Sequence, residues 1–264
     1  MIRAGVLAAW FSVCHAIGAS AQETAVSAPQ LVDREARLKI VPRLSYWRPA
    51  LKGTIHMTDG ALDGSGTDVD VEHDLDVNTR SVWQLSADLQ WQKSRVRLRY
   101  EPLRFRGSAV VDEPFVFHGR TYDRGTRVFS DVDVVSYAAS YDHRLLHEQH
   151  FDLRAGGGLC FAQLFTRLDA NGTGEQRSIS EVLPTLGVTG DATLNELSFG
   201  AVATFGALGA DRQLIDLAVR AGLALAADAQ IDLGYRWLQL DFARDASHAH
   251  LIAQGPFVAL SIAF

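Results

Sequence analysis

The densest group of side chains that could do chemistry is a run of carboxylates early in the sequence. Its members are Asp59, Asp63, Asp68, Asp70, Glu72, Asp74 and Asp76. Hard cations such as Ca²⁺ take about six to eight oxygen ligands, which clustered carboxylates can supply. The spacing lacks the regular ligand order and closing glutamate of an EF-hand, so we interpret the run as a solvated acidic loop. The hypothesis for a metal site here is weak calcium binding by Asp68, Asp70, Asp74 and Asp76.

A second group contains three histidines, His143, His147 and His150. On a helix, His143 and His147 would share a face, as zinc ligands often do. Structural zinc, however, normally takes four ligands, and the flanking segments indicate strands rather than a helix. We therefore interpret the segment as an exposed polar turn.

The composition excludes several classes of protein. Of the 264 residues, 47% are hydrophobic and 21% are charged, which is too apolar for a disordered chain and too polar for a helical membrane protein. The net charge of −6 argues against a nucleic-acid partner, because nucleic-acid binders usually carry a basic face. No Gly-rich phosphate loop, paired CxxC or dinucleotide fingerprint is present, so no cofactor is expected.

The first residues have the pattern of an export signal. Arg3 precedes an apolar stretch, and Ala19-Ser20-Ala21 is a small-residue cleavage site, so residues 1–21 are predicted to be a signal peptide. Cleavage would leave Cys160 as the sole cysteine, which excludes an internal disulfide. Residues 22–35 are predicted to form an N-terminal periplasmic tail, and residues 36–264 to form the folded domain.

The folded domain shows the period-2 alternation of β-strands. From Trp83 to Trp91 the odd positions are apolar and the even ones polar, which in a strand separates the two classes onto opposite faces. About ten such segments are present, with eight as the alternative: 36–49, 80–92, 94–107, 128–142, 149–165, 180–193, 196–208, 212–226, 229–242 and 250–264.

The connectors between these segments alternate in length. Short ones are predicted near 92–93, 143–148, 194–195 and 227–228, and long ones at 50–79, 108–127, 166–179 and 243–249. Alternating connector lengths and an even strand number are typical of an outer-membrane barrel. A soluble β-sandwich also alternates, and is the competing interpretation.

Strand register predicts charge pairs on the face opposite the apolar stripe. A two-residue turn at Gln92-Lys93 would set Asp88 opposite Arg97. Symmetry about Ala226 would set Arg220 opposite Asp232, and Asp216 opposite Arg236. Such pairs stabilise by about 0.2–1 kcal/mol each, whereas Arg on a lipid face costs about 2–4 kcal/mol at the midplane. The charges are therefore predicted to fill the lumen, together with Arg95, Arg99, Arg104, Arg106, Arg154, Asp131 and Asp133.

The end of the chain resembles a known class of protein. Residues 254–264, with alternate apolar residues and a final Phe264, resemble the C-terminal strand that Gram-negative outer-membrane barrels present to the barrel-assembly machinery. From about Arg37 onward the chain resembles a group of small, largely uncharacterised outer-membrane barrels, through residues 66–77, 233–237 and 254–257. The resemblance implies fold and location, and it implies no reaction.

These observations predict an all-β, antiparallel up-and-down transmembrane barrel of the bacterial outer membrane, with a charge-filled lumen. The expected role is structural or surface-interacting, with outer-membrane lipid, lipopolysaccharide and the assembly machinery as partners. The oligomeric state stays open, and no catalytic residue is predicted.

Two alternatives remain open. One is a hydrolase at the extracellular rim, where Asp241, Asp245, Ser247, His248 and His250 cluster in the sequence. Outer-membrane proteases of ten strands would need an Asp pair such as Asp68 and Asp70 to face a His-Asp pair such as His248 and Asp245. The other alternative is a narrow passive channel, although small barrels are usually filled by their own side chains.

Overall fold

The computed structural model describes residues 38–58, 66–78 and 80–264. The predicted signal peptide, the predicted tail and the carboxylates of Asp59 and Asp63 lie outside the described residues. No helix in the described ranges is long and apolar enough to cross a membrane. The strands, in chain order, are β1 (Lys39–Trp47), β2 (Ala50–His56), β3 (Val69–Asp70), β4 (Val77–Asn78), β5 (Val82–Trp91), β6 (Ser94–Val110), β7 (Phe115–Phe117), β8 (Arg120–Tyr122), β9 (Arg127–Glu148), β10 (Phe151–Ala170), β11 (Thr173–Leu194), β12 (Leu197–Ala207), β13 (Gln213–Ala224), β14 (Ala229–Arg244) and β15 (Ser247–Ile262).

The long strands form one closed antiparallel barrel. From β5 onward, successive long strands pair as hairpins, and β1 closes the sheet by pairing with both β5 and β15. Strand β2 also pairs with β15, so β1 and β2 act as one barrel strand interrupted at Arg48 and Pro49. The barrel therefore has ten strands, which confirms the predicted fold class and excludes the eight-stranded alternative.

Turn length decides where the predicted register is right. The two-residue turn at Gln92-Lys93 sets Asp88 opposite Arg97, as predicted. Between β13 and β14 the prediction is wrong by two residues, because Asp216 lies opposite Leu238 and Arg220 opposite Gly234. The turn there is longer than assumed, with the amides of Leu225 and Ala226 both donating to the carbonyl of Ala229. A shift of two residues leaves every side chain on its predicted face.

The longest strands, β6, β9, β10, β11, β14 and β15, reverse their polarity part-way along, as β10 shows. Its lower part, which begins at the short turns, points Phe151, Leu159 and Phe161 outward and Arg154 inward. Its upper part points Gln163, Arg167 and Asp169 outward, and Leu164 and Leu168 into a buried interior. From Phe151 to Phe161 the strand advances about 33 Å, which at a tilt of about 40° spans about 25 Å, the height of an outer-membrane apolar band.

The upper half of the barrel is filled by an apolar core. Two connecting segments fold into the barrel mouth and complete it: residues 66–78 supply Val69 and Leu75, and the β7–β8 hairpin supplies Phe117 and Tyr122. The Tyr122 hydroxyl donates to the carbonyl of Leu168 at 3.2 Å. Burial at this position raises the pKa of the Tyr122 phenol.

This reversal corrects several predicted connectors and lumen residues. Residues 166–179 and 243–249 are not loops: they are strand ends closed by tight turns at Asn171-Gly172 and Asp245-Ala246, where Asn171 and Asp245 have positive φ. The predicted turn at 143–148 is likewise the end of β9. Four residues predicted to line the lumen instead face outward from the upper half, and these are Arg104, Arg106, Asp131 and Asp133.

The reversal makes a testable prediction about where lipid ends. Leu186 faces outward on β11, level with Gly157 in the middle of the apolar band, and Ser178 faces outward on the same strand above it. Leu186→Arg should lower the free energy of unfolding by about 2–4 kcal/mol, because it places a cation in hydrocarbon. The matched control Ser178→Arg should change it by less than about 0.5 kcal/mol. Urea unfolding of the chain in lipid vesicles measures both, and equal effects would contradict the assigned boundary.

Candidate functional site

The lumen of the lower half is organised around Arg236. Its guanidinium donates to Asp216 at 2.7 and 2.9 Å and to Glu101 at 3.1 Å. Arg99 adds a second cation on Asp216 at 2.7 Å. Glu101, Asp216 and Arg236 are each less than a tenth exposed, and the Trp47 ring covers the Arg236 guanidinium at 4.9 Å. This cluster lies directly below the apolar core. It marks the boundary between the charged interior of the lower half and the apolar interior of the upper half.

All three predicted lumen pairs are within ion-pair distance. The N–O separations are 2.8 Å for Arg97 and Asp88, 2.7 Å for Arg236 and Asp216, and 3.9 Å for Arg220 and Asp232. The last two pairs are diagonal neighbours rather than opposed residues, because of the two-residue register shift. Diagonal neighbours in a sheet remain within reach of long side chains.

The same network has further members. Arg95, Arg99 and Arg154 were predicted to line the lumen, whereas Arg43, Glu101, Asp142, Arg144, Asp152 and Asp191 were not predicted. Arg43 contacts Asp232 at 3.1 Å, and Arg95 contacts Asp142 at 2.6 Å. Each further member occupies an inward position of its strand, so strand parity could have identified all of them.

The spaces left between these side chains are small. A cavity of about 110 Å³ lies among Arg43, Asp88, Arg97 and Arg220, and another of about 50 Å³ lies beside Cys160. A water molecule in the liquid occupies about 30 Å³, so these spaces hold a few waters. Both spaces are bordered by the charged side chains of the network.

A second polar group lies on the outer wall of the upper half. His56 on β2 and His248 on β15 are directly opposed, and their rings stack with centroids 4.6 Å apart. The Asp68 carboxylate approaches both: its Oδ1 lies 2.9 Å from His56 Nδ1 and 3.5 Å from His248 Nε2. We call His56, Asp68 and His248 the wall triad. A side chain at Gly66 would begin 2.7 Å from the His56 ring, so glycine permits this close approach.

The other predicted calcium ligands are used by their own segment. Asp70 Oδ1 accepts hydrogen bonds from the amides of Glu72 and His73, at 2.9 and 2.8 Å. Asp74 Oδ2 accepts from the amide of Asp70 at 2.8 Å, and Asp76 has a positive φ of 47°. Among the described residues, the wall triad is the one group of His, Cys, Asp or Glu side chains that could hold a metal ion, with three ligand atoms within 4.8 Å of one another. Of the four predicted calcium ligands, it contains only Asp68.

The residues of the hydrolase alternative are not assembled into a nucleophile–base pair. Ser247 points inward and is 2% exposed, and its Oγ accepts from the amide of Thr58 at 3.1 Å. His248 points outward, because successive residues of a strand face opposite sides. His250 is hydrogen-bonded to Asp241 instead, and Asp245 lies in the turn. The histidines at the other end are also apart: His147 contacts Asp152, and His150 contacts the carbonyl of Thr193.

No protein-family model and no curated protein sequence matches the chain. Its fold matches solved structures. The outer-membrane protease OmpT of Escherichia coli aligns with a TM-score of 0.57 at 10% identity, covering 86% of this chain and 97% of OmpT. The attachment protein Ail of Yersinia pestis aligns at 0.37 and 9% identity over 86% and 98% of the two chains. The translocator domain of NalP from Neisseria meningitidis aligns at 0.40 and 10% identity over 87% and 90%.

The chain therefore has the fold of a Gram-negative outer-membrane β-barrel, as predicted. The apolar band around its lower half is the surface that such a barrel presents to outer-membrane lipid.

The lumen network makes a prediction about stability. Asp216→Asn should lower the free energy of unfolding by about 3–5 kcal/mol, because it leaves Arg99 and Arg236 with less negative charge than they need in a buried site. The matched control is Asp131→Asn, which removes an outward ion pair with Arg106 at 2.8 Å. That pair is largely solvated, so its loss should cost less than about 1 kcal/mol. Heat-modified gel mobility and urea unfolding compare the two, and equal losses would contradict the structural role of the network.

Proposed function

We propose that the chain is a closed, non-transporting barrel of the outer membrane, with a structural or surface-presenting role in the envelope. The observation that carries this proposal is the double filling of the barrel. Paired charges occupy the lower half, and an apolar core occupies the upper half.

The charged interior and the apolar core would oppose the passage of solute in different ways. In the lower half, the cations are held against carboxylates at distances of 2.6 to 3.1 Å in pairs such as Arg95–Asp142 and Arg43–Asp232. A permeating ion would have to displace these partners. In the upper half, side chains such as Phe105 and Leu164 exclude water, and a dry apolar constriction blocks ions.

The surface available for interaction is then the outer wall above the lipid band. It carries outward ion pairs such as Arg106–Asp131 and Arg167–Asp169, both at 2.8 Å. These side chains lie on long paired strands rather than on loops, so the backbone that carries them is rigid. The polar surface they form would lie at the level of the lipid headgroups. Lipopolysaccharide, with its phosphates and bridging divalent ions, is the neighbour whose chemistry fits this level.

The proposal predicts an absence of conductance. The refolded chain should insert into planar bilayers without ohmic current steps. Arg236→Ala should also stay silent, because the apolar layer above it remains intact. Insertion is verified by protease protection and heat-modified mobility. Steady, ion-selective steps from the unaltered chain would overturn the proposal in favour of a narrow channel.

A second candidate, a hydrolase at the rim, is favoured by one contact. Asp68 reaches His248, and the barrel resembles OmpT, which is a protease. Against it, the contact lies on the outer wall, and Ser247 faces the interior. We expect no turnover of peptide or phospholipid substrates. Hydrolysis that is lost in His248→Ala would establish this candidate instead.

A further inference from the structure

We propose that the wall triad, His56, Asp68 and His248, binds one divalent transition-metal ion of the zinc class. The site would lie on the outer wall of the upper half, outside the lumen and above the lipid band. This inference is independent of the proposed function, because a closed barrel can carry the ion or lack it.

Strand pairing places the three ligands in one row. His56 and His248 are opposed across β2 and β15. Strand β3 pairs with β2 through Asp70 opposite Thr54, so the same register continued by two residues brings Asp68 beside His56. Residues opposed in antiparallel strands have Cβ atoms about 4.5–5.5 Å apart and point to the same side. Three adjacent strands therefore present Asp68, His56 and His248 side by side.

The donor distances suit a tetrahedral ion. Zinc bonds of about 2.0–2.1 Å to nitrogen and oxygen place neighbouring ligand atoms about 3.3 Å apart. The observed separations from Asp68 Oδ1, 2.9 Å to His56 and 3.5 Å to His248, lie on either side of that value. The three ligand atoms all lie within 4.8 Å of one another. The two rings are stacked at an interplanar angle of 9°, so metal binding would require them to rotate out of the stack until both nitrogen lone pairs point at the ion.

The chemistry of the donors selects the class of ion. Two imidazoles and one carboxylate suit Zn²⁺ and its neighbours, whereas Ca²⁺ prefers oxygen ligands alone. The side chains are 17%, 66% and 53% exposed for His56, Asp68 and His248, so an ion can enter from solvent. Three protein ligands would leave a fourth position for water, as in sites with an open coordination position.

The ion would fasten the segment that closes the barrel mouth. Asp68 directly precedes Val69, which is buried in the upper core, and β3 is held to β2 by only the two described residue pairs. The same segment also contacts the barrel through the amide of Val71, which donates to the carbonyl of Gly53 at 3.0 Å, and through the pairing of β4 with β6. A bond from Asp68 through the ion would add an attachment to β15. Because the folded chain alone assembles the three ligands, the ion should also stabilise the fold.

The test uses the full mature chain refolded in detergent and titrated with Co²⁺ and Zn²⁺. We expect one bound Co²⁺ with the visible absorption of a four-coordinate ion, displaced by Zn²⁺ and unaffected by excess Ca²⁺. His248→Ala and Asp68→Asn should each weaken binding at least tenfold. His73→Ala is the matched control, because His73 is an exposed histidine of the same segment outside the triad, and it should bind as the unaltered chain does.

Folding of every variant is verified by heat-modified mobility, and both substituted ligands are exposed, so loss of the barrel is not expected. Unchanged cobalt affinity in His248→Ala and Asp68→Asn would overturn the proposal. Binding that Ca²⁺ abolishes, and that Asp70→Asn and Asp74→Asn remove, would overturn it in favour of the acidic-loop site.

Discussion

The structure depends on the burial of Arg236 between Glu101 and Asp216, beneath Trp47. A guanidinium cannot remain charged in a closed barrel unless carboxylates replace its water, and removing one partner of a buried pair is strongly destabilising. The cluster is also the level at which the interior changes character. Below the cluster, charged side chains form ion pairs across the lumen. Above it, a charged side chain would be surrounded by apolar side chains.

Where the inward side chains of a strand change from charged to apolar, its outward side chains change from apolar to polar. On β14 the inward residues pass from Asp232 and Arg236 to Leu238, Leu240 and Phe242, while the outward ones pass from Leu233 and Tyr235 to Gln239 and Asp241. The lower half is stable only in lipid, and the upper half only in water. Neither solvent alone suits the whole chain, so this polarity reversal sets how far the barrel enters the membrane. The same reversal places an apolar core above the charged lumen, and this core is the basis of the proposed closed state.

Much of this architecture could be predicted from alternation, and the failures have physical causes. Ten strands and the inward face of the lower half were predictable because period 2 survives a register shift of two residues. The β13–β14 register was not, because no pattern signalled the longer turn after Ala224. Residues 166–179 resemble a loop in sequence because polar side chains such as Arg167 and Asp169 occupy the outward positions once the strand leaves lipid. Asp68 and His248 were considered together only as parts of a protease site, and His56 was not predicted, because the closure of the barrel is what brings β2 beside β15.

The pairing of the interior charges is the reason to look for ligand binding on the outer wall rather than in the lumen. The interior charges already satisfy one another, so a ligand entering the lumen would have to compete with contacts such as the 2.8 Å pair of Arg97 and Asp88. Ser247, which directly precedes His248, is turned inward by strand parity. On the outer wall, His56 and His248 contact each other and Asp68, and none of the three belongs to the lumen network. Asp68 belongs to a segment whose other face fills the core. The junction of the first and last barrel strands therefore carries titratable side chains that are not used by the lumen network or the apolar core, and this is where a bound ion is proposed.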